Sequence, residues 1–254
     1  MNKYKEDFKV YVFQTAANGK LSVKGLFDFL NETAANHCIE EKITVKDLNE
    51  IGLTWMLSRM HIEIKRMPES GEKISVITWP TGAKGLFSLR DFIVTAEDGE
   101  EIVTATRAWL TINLEKRRVV RLPDSIIKVQ EKFAGEGKSL HDDFKDKLNA
   151  PGEQASTSEI HRATYSTLDI NYHVTAPVYV NWMLDSIISE LPENAEISSL
   201  ELNYKQEILP GGSAVARHEI TEKDRRLCID HSICDAAAGA VNAIARSCWK
   251  TQAD

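Results

Sequence analysis

Two stretches of this 254-residue chain read alike when one is slid 140 positions along the other, and that duplication limits the fold more than any other feature. Ile62 then falls on Leu202, Lys65 on Lys205, Gly99 on Gly239, Ala105 on Ala245 and Trp109 on Trp249. The surroundings agree. RMHIEIKRMPESGEKISV and LELNYKQEILPGGSAV both run from an alternating stretch into a Pro/Gly turn, and EEIVTATRAWLTINL and AVNAIARSCWK both carry a closing apolar stretch to Trp. A fixed period of this kind predicts two copies of one supersecondary unit.

Each copy opens with a helical pattern. In SVKGLFDFLNETAANHC, Ser22 is a suitable N-cap, and Leu26, Phe29, Leu30 and Thr33 fall on one face. In TAPVYVNWMLDSIISEL, Thr175 is placed to cap and Pro177 suits a first turn, with Val180, Leu184, Ile187, Ile188 and Leu191 as the apolar stripe. Strand patterns follow: Met60, Ile62 and Ile64 alternate with polar residues, as do Ile74 and Val76, and then Leu110, Ile112 and Leu114. The short turns ESGE, EDGE and LPGGS between strands predict an antiparallel sheet. The pattern is therefore a duplicated α+β unit. Residues 129–158 are charged, Gly-bearing and without apolar periodicity, and read as a linker between an N-terminal copy, 1–128, and a C-terminal copy, 159–254.

Composition narrows the function. With 43% hydrophobic residues the chain has enough apolar side chains for a sizeable core. A net charge of −7 argues against nucleic acid as a broad electrostatic partner. No apolar run approaches a membrane span, and MNKYKEDFKVYVF lacks the core of a signal peptide, so a cytoplasmic location is expected. Cys38, Cys228, Cys234 and Cys248 form no CxxC pair and are expected to be buried, reduced thiols. His37, His61 and His231 make no ligand spacing, so no metal site is expected; no phosphate-binding glycine motif occurs, and no cofactor is expected.

The chemistry-bearing residues cluster at the start of the second helix, LDINYHVTAPVYVNWMLD. In an extended segment Asp169, Asn171 and His173 share one side. The helix that follows aims its free N–H groups back toward them. A carboxylate, an amide and an imidazole beside a helix N-terminus suit acyl transfer, in which charge builds on a carbonyl oxygen. The plainer reading is a polar strand end with local capping bonds.

These residues carry a resemblance. The stretch is similar to the D-x-N-x-H-V-N-N motif of the acyl-acyl-carrier-protein thioesterases, with Asp169, Asn171, His173 and Val174 matching and Thr175–Ala176 standing where that family commonly has Asn-Asn. LELNYKQEI resembles the family's L-E-Y-R-R-E-C segment, which sets Glu207 at its catalytic glutamate. LFDFLNETAANH and LSRMHIEIKRMPESGE resemble the family's N-terminal helix and its strand-and-turn motif. The resemblance runs over residues 5–250 and implies a tandem hot-dog: two repeats, each a helix wrapped by a curved antiparallel sheet. It implies hydrolysis of fatty acyl-carrier-protein thioesters by Asp169, Asn171, His173 and Glu207. The position that an early family model gave to a nucleophilic Cys is Ile208, so water is the expected nucleophile.

A division of labour follows. The first copy reads AANGKLSVKG where the second carries its motif, and is expected to form the acyl-chain pocket from Leu26, Phe29, Leu30, Met56, Met60 and Ile62. Carrier proteins of this kind are acidic, and LEKRRVVRLP gathers Lys116, Arg117, Arg118 and Arg121; the last three are taken as the partner-binding cations, with Arg225 and Arg226 as a weaker pair. The alternative activities are an acyl-CoA thioesterase and a non-catalytic acyl-binding protein on the same fold. A homodimer stays open, and neither nucleic acid nor a membrane span is expected.

Overall fold

The structure is a computed structural model that describes residues 3–134, 139–141, 144, 148–223 and 226–250. The chain divides into two compact units, Met1–Lys145 and Asp146–Asp254.

In the first unit, β1 (Tyr4–Lys9) precedes a long helix, α1 (Val23–Glu41), and a short one, α2 (Val45–Asn49). Then come β2 (Leu53–Ile64), β3 (Lys73–Lys84), β4 (Phe87–Ala96), β5 (Glu101–Asn113), β6 (Arg118–Val120) and α3 (Asp124–Lys132). The strands pair antiparallel in the order β1-β3-β4-β5-β2, with β6 on β5. Ser22 caps α1 as expected, its Oγ accepting from Gly25 N at 3.0 Å. Leu26, Phe27 and Leu30 on α1 and Met60, Ile62, Val76 and Phe92 on the strands are buried. At roughly 1.5–3 kcal/mol per fully buried large side chain, this face is what holds helix to sheet.

The second unit repeats the plan. β7 (Ser156–Thr157) and β8 (His161–Arg162) lead to α4 (Ala176–Asp185), followed by β9 (Glu196–Tyr204), β10 (Ser213–Lys223), β11 (Arg226–Asp235) and β12 (Val241–Lys250). The order β9-β12-β11-β10-β7 reproduces the first unit's wiring strand for strand, with β8 also on β10. The duplication extends to single bonds. Lys65 N donates to Ile102 O at 2.9 Å, and Lys205 N to Asn242 O at 2.8 Å. Gly99 and Gly239 both take positive φ, at 89° and 68°, in matching turns that only glycine makes freely. Each unit is a hot-dog, and the chain carries two.

Several expectations change. α4 stops at Asp185, so the stripe drawn through Ile188 fails: Ile187 is buried but Ile188 is exposed. The first unit's packing runs past 128, because Val129 and Phe133 join Ile43, Leu48, Trp79, Leu122 and Ile126 in one apolar cluster. The far end of the expected linker also pairs, through Ser156 and Thr157 on β10; part of its middle lies outside the described residues. Cys228 and Cys248 are not free thiols. They stand directly opposite across β11 and β12 and form a disulfide, with Sγ atoms 2.00 Å apart. Cys38 and Cys234 remain free.

Candidate active site

Asp169 to His173 form a tight turn rather than an extended strand. Asp169 N donates to His173 O at 2.8 Å and Tyr172 N to Asp169 O at 3.1 Å, and Leu168 bridges Val174. The Asp169 carboxylate fixes the loop from inside, its Oδ1 accepting from Asn171 N at 2.8 Å and His173 N at 3.2 Å. This side chain-to-backbone turn is what an Asp two residues before a bend favours. One further bond, Val174 N to Ile208 O at 3.0 Å, sets the residue after His173 against the residue after Glu207.

The two side chains meet. His173 Nε2 lies 3.0 Å from Glu207 Oε2, and with side-chain exposures of 29% and 37% both are open to solvent. Asn171 is exposed, and among the described residues its amide has no hydrogen-bond partner, which leaves it free to donate to a ligand oxygen. Ile208, at the position of the discarded Cys, is buried and carries no nucleophile. Cys38 belongs to α1 in the other unit, Cys228 and Cys248 are joined, and Cys234 is buried in β11.

The helix contributes less than expected. Thr175 stands at the N-cap but makes no side-chain cap bond, Pro177 has no N–H, and Val178 N is taken by Thr175 O at 3.0 Å. Among the described residues Ala176 N is a first-turn N–H with no hydrogen-bond partner.

Two tyrosines brace the site, and neither stands out in the sequence. Tyr204 Oη donates to Ala176 O at 2.8 Å, tying the end of β9 to the first turn of α4. Tyr179 Oη donates to Gln206 O at 3.4 Å, and its ring meets that of Tyr204 edge-on at 5.4 Å. Burial pushes the Tyr179 hydroxyl up to about 12, so it stays a donor throughout the working range. An aromatic in an apolar helix stripe looks like core; only the fold reveals its hydroxyl next to the stretch that ends in Glu207.

In the first unit, Leu26, Phe29, Leu30, Met60 and Ile62 are buried around α1. Met56 is not with them. A bulge between Leu57 and Arg59 reverses the pleat of β2, so Met56 pairs with Leu110 on the face turned away from α1, whereas Met60 pairs with Arg107, whose guanidinium meets Asn31 of α1. Arg117, Arg118 and Arg121, with Lys116, lie exposed at and beyond the hairpin tip between β5 and β6. Of the weaker pair, Arg225 lies outside the described residues and Arg226 opens β11. Among the described residues no cluster of three His, Cys, Asp or Glu side chains is arranged to hold a metal ion, and no helix is long and apolar enough to cross a membrane.

Comparison with known proteins bears on both halves. The family model described as acyl-ACP thioesterase N-terminal domain matches residues 1–130, and the one described as acyl-ACP thioesterase C-terminal domain matches 149–251. The chain belongs to the acyl-ACP thioesterase family. Relatives within it include a chloroplastic acyl-[acyl-carrier-protein] hydrolase of Cuphea viscosissima, 26% identical over 97% of this chain and 62% of its own length. Another is a chloroplastic oleoyl-acyl carrier protein thioesterase of Arabidopsis thaliana, 27% identical over 80% of this chain and 60% of its own. A third is a chloroplastic palmitoyl-acyl carrier protein thioesterase of Gossypium hirsutum, 26% identical over 80% and 52%. The chain thus spans between half and two thirds of these relatives' length. Among solved structures, an acyl-ACP thioesterase from Bacteroides thetaiotaomicron covers 97% of both chains with a TM-score of 0.85 at 26% identity. A 12:0-ACP thioesterase from Umbellularia californica, at 20% identity, shares the fold with a TM-score of 0.86.

Proposed function

We propose that the chain hydrolyses the thioester of fatty acyl-carrier-protein, releasing the free fatty acid and the carrier thiol and so ending chain elongation. The observation that carries this reading is the His173 Nε2–Glu207 Oε2 contact at 3.0 Å, in the unit that the family's C-terminal model matches. Glu207, as carboxylate, takes a proton from a water whose oxygen attacks the thioester carbon. The oxyanion that forms accepts hydrogen bonds from the Asn171 amide and Ala176 N–H. Collapse breaks the C–S bond, and the thiolate leaves with a proton returned through His173. Asp169 does not touch the reacting atoms; it holds the loop that presents Asn171 and His173. A thiolate is a good leaving group, so a positioned base worth about 10²–10⁴-fold suffices without a covalent intermediate.

The acyl chain lies among Leu26, Phe29, Leu30, Met60 and Ile62, side chains of the first unit that are withdrawn from water. The acidic carrier docks through Arg117, Arg118 and Arg121, which face solvent on one hairpin.

The test is turnover of a panel of acyl-carrier-protein and acyl-CoA thioesters of graded chain length, read as free thiol. Release from the carrier protein with a kcat/KM above that of the matching acyl-CoA supports the reading. Equal or faster acyl-CoA hydrolysis makes the protein an acyl-CoA thioesterase. A loaded thioester that survives for hours makes it an acyl-binding protein.

A further inference from the structure

The turn that carries His173 is made twice in this chain. In the first unit Ala16 N donates to Lys20 O at 2.8 Å, Gly19 N donates to Ala16 O at 3.0 Å, and Thr15 bridges Leu21. These are the bonds that Asp169, Tyr172 and His173 make in the second unit, with Leu168 bridging Val174. Residues AANGK thus correspond one for one to DINYH. The fourth position has positive φ in both, 76° at Gly19 and 60° at Tyr172. Glycine takes that conformation freely, while the β-carbon of a tyrosine crowds the backbone there.

The turn therefore has no need of a ring. The ring also gains nothing from the fold to offset the crowding. Tyr172 is 73% exposed, and among the described residues its hydroxyl has no hydrogen-bond partner. Ile170, on the other side of Asn171, is 85% exposed. The corresponding residues of the first unit are Ala17 and Gly19. Large apolar side chains thus flank Asn171 only in the copy that has His173, and one of them is held there against its backbone preference. A strained residue beside reactive groups is the pattern expected where the side chain serves a ligand.

We propose that Tyr172, with Ile170, is the platform for the thiol half of the substrate, the phosphopantetheine arm that joins the thioester to its carrier protein. The inference rests on the hydrolase reading and adds to it where the non-acyl half lies. A thioester cleaved beside His173 and Glu207 has two halves on opposite sides of the reacting carbon. One is the apolar acyl chain. The other is an extended chain of methylenes and two amides ending in a carbon with two methyl groups, and it leaves toward solvent on the side where the dyad is open. A tyrosine face and a branched aliphatic side chain suit those methylenes and methyls, and a tyrosine orders few torsions in making the contact. The same arm occurs in coenzyme A; the carrier-bound arm is the one assigned here.

The test compares Tyr172→Gly and Tyr172→Phe with the wild-type chain on four thioesters of one fatty acid: carrier protein, coenzyme A, free pantetheine and 2-mercaptoethanol, the last lacking the arm. Tyr172→Gly is expected to raise KM on the three arm-bearing substrates, cutting kcat/KM by roughly 3- to 10-fold, and to cut it far less on the mercaptoethanol thioester. Tyr172→Phe, which keeps the ring, is expected to restore the wild-type values. The midpoint of thermal unfolding should rise by about 2–4 °C in Tyr172→Gly, since the crowding is removed. An equal loss on all four thioesters overturns the inference, because the ring then serves the turn. A loss confined to the carrier-protein substrate also overturns it, because the ring then meets the carrier rather than the arm. No loss anywhere, or a fall in the unfolding midpoint, does the same. A wild-type chain that cleaves none of the four overturns the hydrolase reading itself, and this inference with it.

Discussion

His37 makes the first unit sensitive to acid. Its Nδ1 lies 2.8 Å from an Nη of Arg90, a group that only donates, so Nδ1 holds its lone pair toward the guanidinium. The ring stacks on Tyr4 at 5.2 Å and meets Phe133 edge-on at 5.4 Å. Burial first, then the positive charges of Arg90 and Lys132, push its pKa down from 6.5 to about 4. The sign follows directly. Above pH 6.5 the ring is neutral folded or unfolded. Between 6.5 and about 4 the unfolded ring takes a proton and the folded one does not, so stability falls as pH falls. The full penalty is about 3 kcal/mol, gathered at no more than about 1.4 kcal/mol per pH unit. His37→Asn places Oδ1 where Nδ1 was, keeps an acceptor for Arg90 and cannot titrate. The lost ring contacts should cost about 1–3 kcal/mol near pH 8. Urea unfolding followed by circular dichroism measures both proteins from about pH 8 to 5. The wild type's advantage should hold near neutrality and shrink by about 2 kcal/mol at the acid end. An advantage that is the same at every pH refutes the reasoning.

Three other perturbations address the site and its partner. Cys38→Ser and Cys234→Ser, made singly, should leave turnover within about 3-fold, since a water nucleophile needs no thiolate; an acyl-cysteine trapped by mass spectrometry would overturn this. Leu30→Ala, at a fully buried α1 position, should cost about 2–5 kcal/mol of stability and also shift the chain-length profile of the released fatty acids. An unchanged profile with reduced stability would make Leu30 core and not pocket. Reversing Arg117 and Arg118 to Glu should raise KM for the carrier-protein substrate and flatten its salt dependence, because the Debye length is about 8 Å at physiological salt. Equal slowing on a small neutral thioester would mark the hairpin as structural.

Much of the fold is legible in the sequence because period and turn chemistry are local. Ser22 caps its helix, Gly99 and Gly239 turn their hairpins, and the offset of 140 carries over into matching hydrogen bonds. Two of the failures share a cause, that register is set by tertiary structure. Met56 fits the alternation of β2 until the bulge at Leu57–Arg59 reverses it. Cys228 and Cys248 look unrelated until the β11–β12 register sets them opposite each other. The site residues share a motif, but their geometry does not follow from spacing. Asp169 folds the segment into a turn, and the backbone bond from Val174 to Ile208 brings Glu207 beside His173. Tyr172 carries a signal in the sequence only when its counterpart, Gly19, is known to have positive φ.

The central claim is that Glu207 is the base that activates water against an acyl thioester. Its most direct test is the kcat of Glu207→Gln on a fatty acyl-carrier-protein thioester, with unchanged far-ultraviolet circular dichroism as the control for folding. Glutamine keeps the size and the contact to His173 Nε2 but cannot take the proton. The expected result is a fall in kcat of about 10²–10⁴-fold with KM little changed. A variant that turns over within a few-fold of the wild type would contradict the account.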